Sequence, residues 1–133
     1  MRTQEPTQPT THRHGQPRSQ HVRSVVARKR REHSQLRANI NFDGFLAVLR
    51  TEGISLWWQE IRPGVLGRTM GYMGRAVIVL NPCLEGYELL RVALHELGHV
   101  HLHLFDPAQS ARGAGADPRA ESEADLFANL LLS

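Results

Sequence analysis

The run His95-Glu96-Leu97-Gly98-His99 holds two imidazoles four residues apart, with a carboxylate beside the first. Around it, residues 88–104 lack proline and carry Leu89, Val92, Ala93, Leu97 and Val100 at helical intervals, a pattern that predicts a helix. Residues four apart share one helix face. His95 and His99 can therefore offer nitrogens to a single ion at roughly 2.0–2.1 Å, the bond length zinc requires. Glu96, one residue on, can reach a water beside that ion without ligating it. The H-E-x-x-H spacing thus puts metal ligands and a general base on little more than one helical turn. Eight histidines occur in 133 residues, so a helix with scattered histidines is the competing interpretation. The downstream sequence weighs against it.

A catalytic zinc takes three protein ligands and keeps one position open. The segment Glu121-Ser122-Glu123-Ala124-Asp125, running into Leu126-Phe127-Ala128, offers the third. Asp117-Pro118 is a helix start, and acidic residues fill the turns that follow. Glu121 and Asp125 are four apart and share a face with Ala124 and Ala128, small residues that permit a close approach to the first helix. Glu121 is the expected third ligand, and Asp125 the acceptor that orients a ligand histidine. Glu123 is expected to point elsewhere. Alone, this segment would be an acidic first turn favoured by the helix dipole; beside the histidine pair it reads as the rest of a metal site. His103, four after His99, faces the same site behind a ligand or as a proton shuttle. His101 is rotated away and expected at the surface. Tyr72 and Arg75 are candidate oxyanion stabilisers that nothing in the pattern singles out.

Leu80-Asn81-Pro82, Val92-Ala93-Leu94 leading into His95–His99, Leu102-His103, and Glu121 with Ala124, Asp125, Phe127, Ala128 and Leu131 together resemble the ImmA/IrrE-type metallopeptidases. The resemblance covers residues 40 to 132, including the apolar segment 45–64. It implies a small domain with a thermolysin-like zinc site, ligands at His95, His99 and Glu121, and Glu96 as the catalytic carboxylate. It also implies a protein substrate, a repressor-type helix-turn-helix regulator of a phage, mobile element or stress response. Many members continue past the position of Leu132, and some carry their own helix-turn-helix domain, for which no helix pair is seen here.

Composition divides the chain unevenly. Through Arg37 there are nine Arg or Lys against Glu5 and Glu32; the remainder has seven basic and eleven acidic residues. Residues 1–34 contain Pro6, Pro9 and Pro17 and few large apolar side chains, so they are expected to be a disordered basic tail, with a short basic helix within 22–36 as the alternative. Residues 38–133 form the expected metallopeptidase domain. Arg28-Lys29-Arg30-Arg31 could bind phosphate, giving weak nucleic-acid contact, but no aromatic residues interleave it, and a solvated linker is the plainer reading. Cys83 is the only cysteine, so no intrachain disulfide forms; a half-buried, inert thiol is expected. No apolar run reaches membrane-spanning length and no signal-peptide core is present, which points to the cytoplasm.

The elements that must position the site follow from pattern. Residues 42–51 read as an amphipathic helix stopped by Gly53. Residues 54–61, with Trp57 and Trp58 as core and rim packing, suggest a strand. Residues 66–73 and 75–80 flank Gly74 as a hairpin. The fold class is α+β, a zincin-like domain with a short mixed sheet packed on two metal-binding helices, and a mobile loop at 106–118. A strand at the sheet edge, either 77–80 or the hairpin before it, would hold an extended peptide beside the metal. The expected function is zinc-dependent endopeptidase, although manganese or iron suits two His and a carboxylate as well. The alternative is a zinc-bound regulatory protein that grips a repressor or antitoxin without cleaving it.

Overall fold

The computed structural model describes residues 18–104 and 117–133, an α+β arrangement of four helices and a three-stranded mixed sheet. The helices are α1 (Arg18–Glu32), α2 (Phe42–Glu52), α3 (Gly86–His99) and α4 (Pro118–Leu132), and α3 continues as a π-helical turn, Val100–Leu104. The strands are β1 (Ser55–Trp58), β2 (Gly67–Tyr72) and β3 (Arg75–Leu80). Residues 1–17 of the expected tail and 106–116 of the expected loop lie outside the described residues.

Local chemistry sets most boundaries. The Asn41 side chain accepts the Gly44 N–H at 2.8 Å to start α2, and Gly53 ends it with φ 71°, a left-handed conformation that glycine adopts without steric cost. Asp117 caps α4 through the Arg119 N–H, with Pro118 in the first turn. Met73 and Gly74 have φ of 52° and 79°, the positive pair that a two-residue hairpin turn requires between β2 and β3.

β3 lies in the middle of the sheet, parallel to β1 and antiparallel to β2. Ala76, Ile78 and Leu80 join the main core with Leu94, Leu97 and Phe127, while Val77 and Val79 are buried on the other face. The segment 77–80 is therefore no edge strand. The outer positions belong to β1 and β2, and β2 is the strand that packs on α3. Trp57 and Trp58 are partly exposed on β1, with Trp57 edge-on to Tyr72 and Trp58 against Phe42.

The N-terminal expectation needs correction. Residues 18–32 are helical, and Val22, Val25 and Val26 are buried in the core, with α1 packed along α4. These three valines form one stripe, and each fully buried side chain contributes about 1.5–3 kcal/mol. The basic run is no linker: it belongs to α1, where Lys29 and Arg30 turn into the fold while Arg28 and Arg31 stay exposed. Lys29 is buried and pairs with Glu52 at 2.6 Å and Glu32 at 2.7 Å, and Arg28 lies 3.8 Å from Glu32. Arg30 donates to the carbonyls of Leu36 (3.2 Å) and Leu130 (2.8 Å), answering the free end of α4.

His101 is also not a surface residue. Its Nε2 lies 2.7 Å from Glu52, whose other oxygen meets Lys29 and His33, each at 2.6 Å. Glu52 thus ties α1, α2 and the π turn together. Burial would raise its pKa, but hydrogen bonds from His101, Lys29 and His33 outweigh that and lower it to about 2. Cys83 is exposed, not half-buried.

Candidate metal centre

α3 and α4 cross closely enough to bring one acidic turn of α4 over the two histidines of α3. Gly98 makes this approach feasible: a Cβ there would lie 3.0–3.1 Å from Cδ1, Cβ and Cγ of Phe127. The buried Ala124 and Ala128 of α4 likewise keep that contact face small. Four atoms of three residues converge as a result. His95 Nε2 and His99 Nε2 are 3.2 Å apart, Glu121 Oε1 is 3.0 Å from the first, and Glu121 Oε2 is 2.8 Å from the second. A tetrahedral face built on zinc bond lengths has edges of about 3.3 Å, so these spacings are of the size that one ion held by the three residues needs.

Protonation supports the same conclusion. His95 Nδ1 lies 2.7 Å from Asp125 Oδ1, a carboxylate that can only accept, so Nδ1 carries the proton and Nε2 a lone pair. His103 Nε2 lies 2.9 Å from Glu123 Oε1 and donates to it, which leaves His103 Nδ1 free to accept from His99 Nδ1 at 3.1 Å. For neutral rings, His99 Nε2 then also presents a lone pair. Burial pushes the His99 pKa down to about 4 and favours that neutral ring, against the pull of Glu121. With neutral rings in these tautomers, two imidazole lone pairs and the Glu121 carboxylate face one point, and a divalent cation there would take the place of a proton shared between an Nε2 and Glu121.

Glu96 lies beneath β2, close enough to the cluster to feel His95 and Glu121. It is 6% exposed, and the Thr69 hydroxyl lies 2.7 Å from its Oε1 and 3.1 Å from its own carbonyl oxygen. Gly67 makes room for this carboxylate, since a Cβ there would come within 3.0 Å of Glu96 Cγ and Oε2. Burial raises the Glu96 pKa to about 7; Thr69 and His95 oppose the rise and Glu121 adds to it. A carboxyl poised near neutrality can both take and return a proton.

The structure therefore brings together His95, His99 and Glu121, with Asp125 behind His95 and His103 behind His99. Tyr72 instead meets Trp57 edge-on, and Arg75 is an exposed residue at the start of β3. Two residues escaped the sequence reading. Thr69 sits in a strand whose pairing partner on α3 no local pattern reveals. Glu123 does turn away from these three residues as expected, but it is buried and bonded rather than idle. A second carboxylate–imidazole group, Glu32, His33 and Glu52, has ligand-like spacing too. There the Lys29 ammonium already bridges both carboxylates, so the cation is built in. Comparison of the chain with protein-family models, curated proteins and solved structures returns no match.

Proposed function

We propose that this chain is a zinc-dependent endopeptidase whose substrate is a repressor-type DNA-binding regulator. The observation that supports it best is the convergence of His95 Nε2, His99 Nε2 and Glu121 on one point, with a buried, near-neutral Glu96 on the same helix. Zinc held there would polarise a carbonyl and acidify a water at neutral pH. Glu96 takes the proton from the attacking water and returns it to the leaving amine. Thr69 holds the Glu96 carboxylate in place for both transfers. Asp125 keeps the His95 proton on Nδ1 and so keeps its Nε2 available. β2 has one neighbour in the sheet, β3, and runs beside Glu96, so its outer edge is where an extended peptide would add as a strand.

The choice of a repressor-type substrate rests on the sequence resemblance alone. The nucleic-acid reading loses its main support, because Lys29 and Arg30 are spent inside the fold. No described helix is long and apolar enough to cross a membrane.

The test is a comparison of wild type and Glu96→Gln on unfolded polypeptides and on the regulator encoded nearest the gene, with product termini read by mass spectrometry. The expected result is zinc-dependent cleavage by wild type and zinc-loaded but inactive Glu96→Gln. Equal cleavage by the two would rule out this mechanism. A stable complex with the regulator and no cleavage by either would favour the gripping role over the peptidase.

A further inference from the structure

The support behind the two ligand histidines is unequal. His95 meets the carboxylate of Asp125 directly, and Asp125 is 56% exposed. His99 has no carboxylate of its own at Nδ1. It meets His103 at 3.1 Å, His103 meets Glu123 at 2.9 Å, and Glu123 receives the Arg18 guanidinium through Nε at 3.1 Å and Nη2 at 3.2 Å. The chain runs from α1 through α4 and the π turn to α3. His103 and Glu123 are both buried, at 7% and 8% side-chain exposure.

We infer that Arg18 and Glu123 are positioning residues for the metal centre, acting on His99 through His103; this rests on the metal-binding reading above. A buried Glu123 carboxylate needs a partner charge, and the bidentate Arg18 supplies it. An anionic Glu123 forces the His103 proton onto Nε2. His103 Nδ1 is then an acceptor, which draws the His99 proton to Nδ1 and leaves the His99 Nε2 lone pair aimed between His95 and Glu121. The four-residue spacing makes the first link, with the His99 and His103 ring centroids 5.2 Å apart. Reversing the order would put a bare His103 nitrogen against the Glu123 carboxylate, which is repulsive. The N-terminal helix thereby reaches the metal centre, although it contributes no ligand.

The competing explanation is that Arg18, Glu123 and His103 merely fasten α1 to α4. Zinc affinity by chelator competition, together with the visible absorption of the cobalt-substituted protein, separates the two. The set is wild type, Arg18→Ala, Arg18→Lys, Glu123→Ala and Glu123→Gln, each with thermal melting of the metal-free form as the folding control. Glu123→Ala is expected to bind zinc about 10- to 100-fold more weakly, the usual loss when the partner of a ligand histidine is removed. Its cobalt bands should shift, because His99 is reoriented. Arg18→Ala should weaken binding less, and Arg18→Lys should restore most of it. Arg18 lies at the exposed start of α1, so its variants keep the proposal testable should the Glu123 variants fail to fold. Wild-type affinity and an unchanged cobalt spectrum in folded Arg18→Ala and Glu123→Ala would overturn the inference and leave the metal site standing. A wild type that binds no zinc would overturn both.

Discussion

At the scale of single residues, two glycines and one threonine do as much for the site as its ligands. Gly98 could be seen in the sequence only as the variable fourth residue of the motif, yet Phe127 rests on it. Gly98→Ala forces α4 away from α3 and is expected to cost about 1–3 kcal/mol, as overpacking does, while weakening zinc binding because Glu121 moves with α4. Thermal melting and chelator competition on one preparation would check both effects; an unshifted melting temperature would show that Phe127 yields freely. Thr69 was invisible from sequence because the contact joins residues 27 positions apart. Its hydrogen bond lowers the Glu96 pKa against burial. Thr69→Val removes that bond at similar volume, so the Glu96 pKa should rise and the acidic limb of the kcat/KM profile should move to higher pH. An unmoved or lowered limb would remove Thr69 from the account of Glu96.

At the scale of elements, the helix carrying the histidines was legible because its apolar residues recur at one helical period, and β3 because 76–80 is an unbroken apolar run. The change from α to π geometry after His99 was not, since no residue type in Val100–Leu104 demands it. The sequence favours a disordered tail over the basic helix, the alternative that the structure supports, for a physical reason. Three prolines and many arginines place residues 1–34 among disordered sequences by composition, whereas the apolar contacts of 18–32 come from a narrow stripe of Val22, Val25 and Val26. Lys29 continues that stripe and stays charged by pairing with Glu52. Arg30→Ala leaves the Leu130 and Leu36 carbonyls without their charged donor and should destabilise the fold by about 1.5–3 kcal/mol, the range for hydrogen bonds to charged groups. A denaturant titration reads it; a midpoint equal to wild type would mean that water replaces the guanidinium at no cost.

At the scale of the whole molecule, the helices meet in two polar clusters that serve different ends. One, around Glu52, joins α1, α2 and the π turn; the other, through Glu123, joins α1 and α4 to the metal helix. Glu52 has its folded pKa lowered to about 2 from 4.5. A lowered carboxylate stabilises the fold above its unfolded pKa, and that contribution fades as pH falls from about 4.5 towards 2. Glu52→Gln should therefore be less stable than wild type at neutral pH and draw level with it in acid. A stability gap constant from neutral pH down to pH 2 would assign the effect to packing instead. The domain also begins earlier than composition suggests, because α1 shares its core with α4. The clustering of the candidate site was the most legible part: His95, His99, Glu121 and Asp125 stand at fixed spacings on two helices, so local periodicity carried the reading. What periodicity could not carry were the contacts between elements, namely Thr69 on Glu96, Arg18 on Glu123 and His101 on Glu52.

The central claim is that His95, His99 and Glu121 together hold one metal ion. Metal content of the purified chain by mass spectrometry, wild type against Glu121→Ala after equal exposure to zinc, tests it directly. The account predicts about one zinc per chain in wild type, the stoichiometry of a three-ligand site, and its loss in the variant. No zinc in wild type, or equal zinc in both, would contradict it.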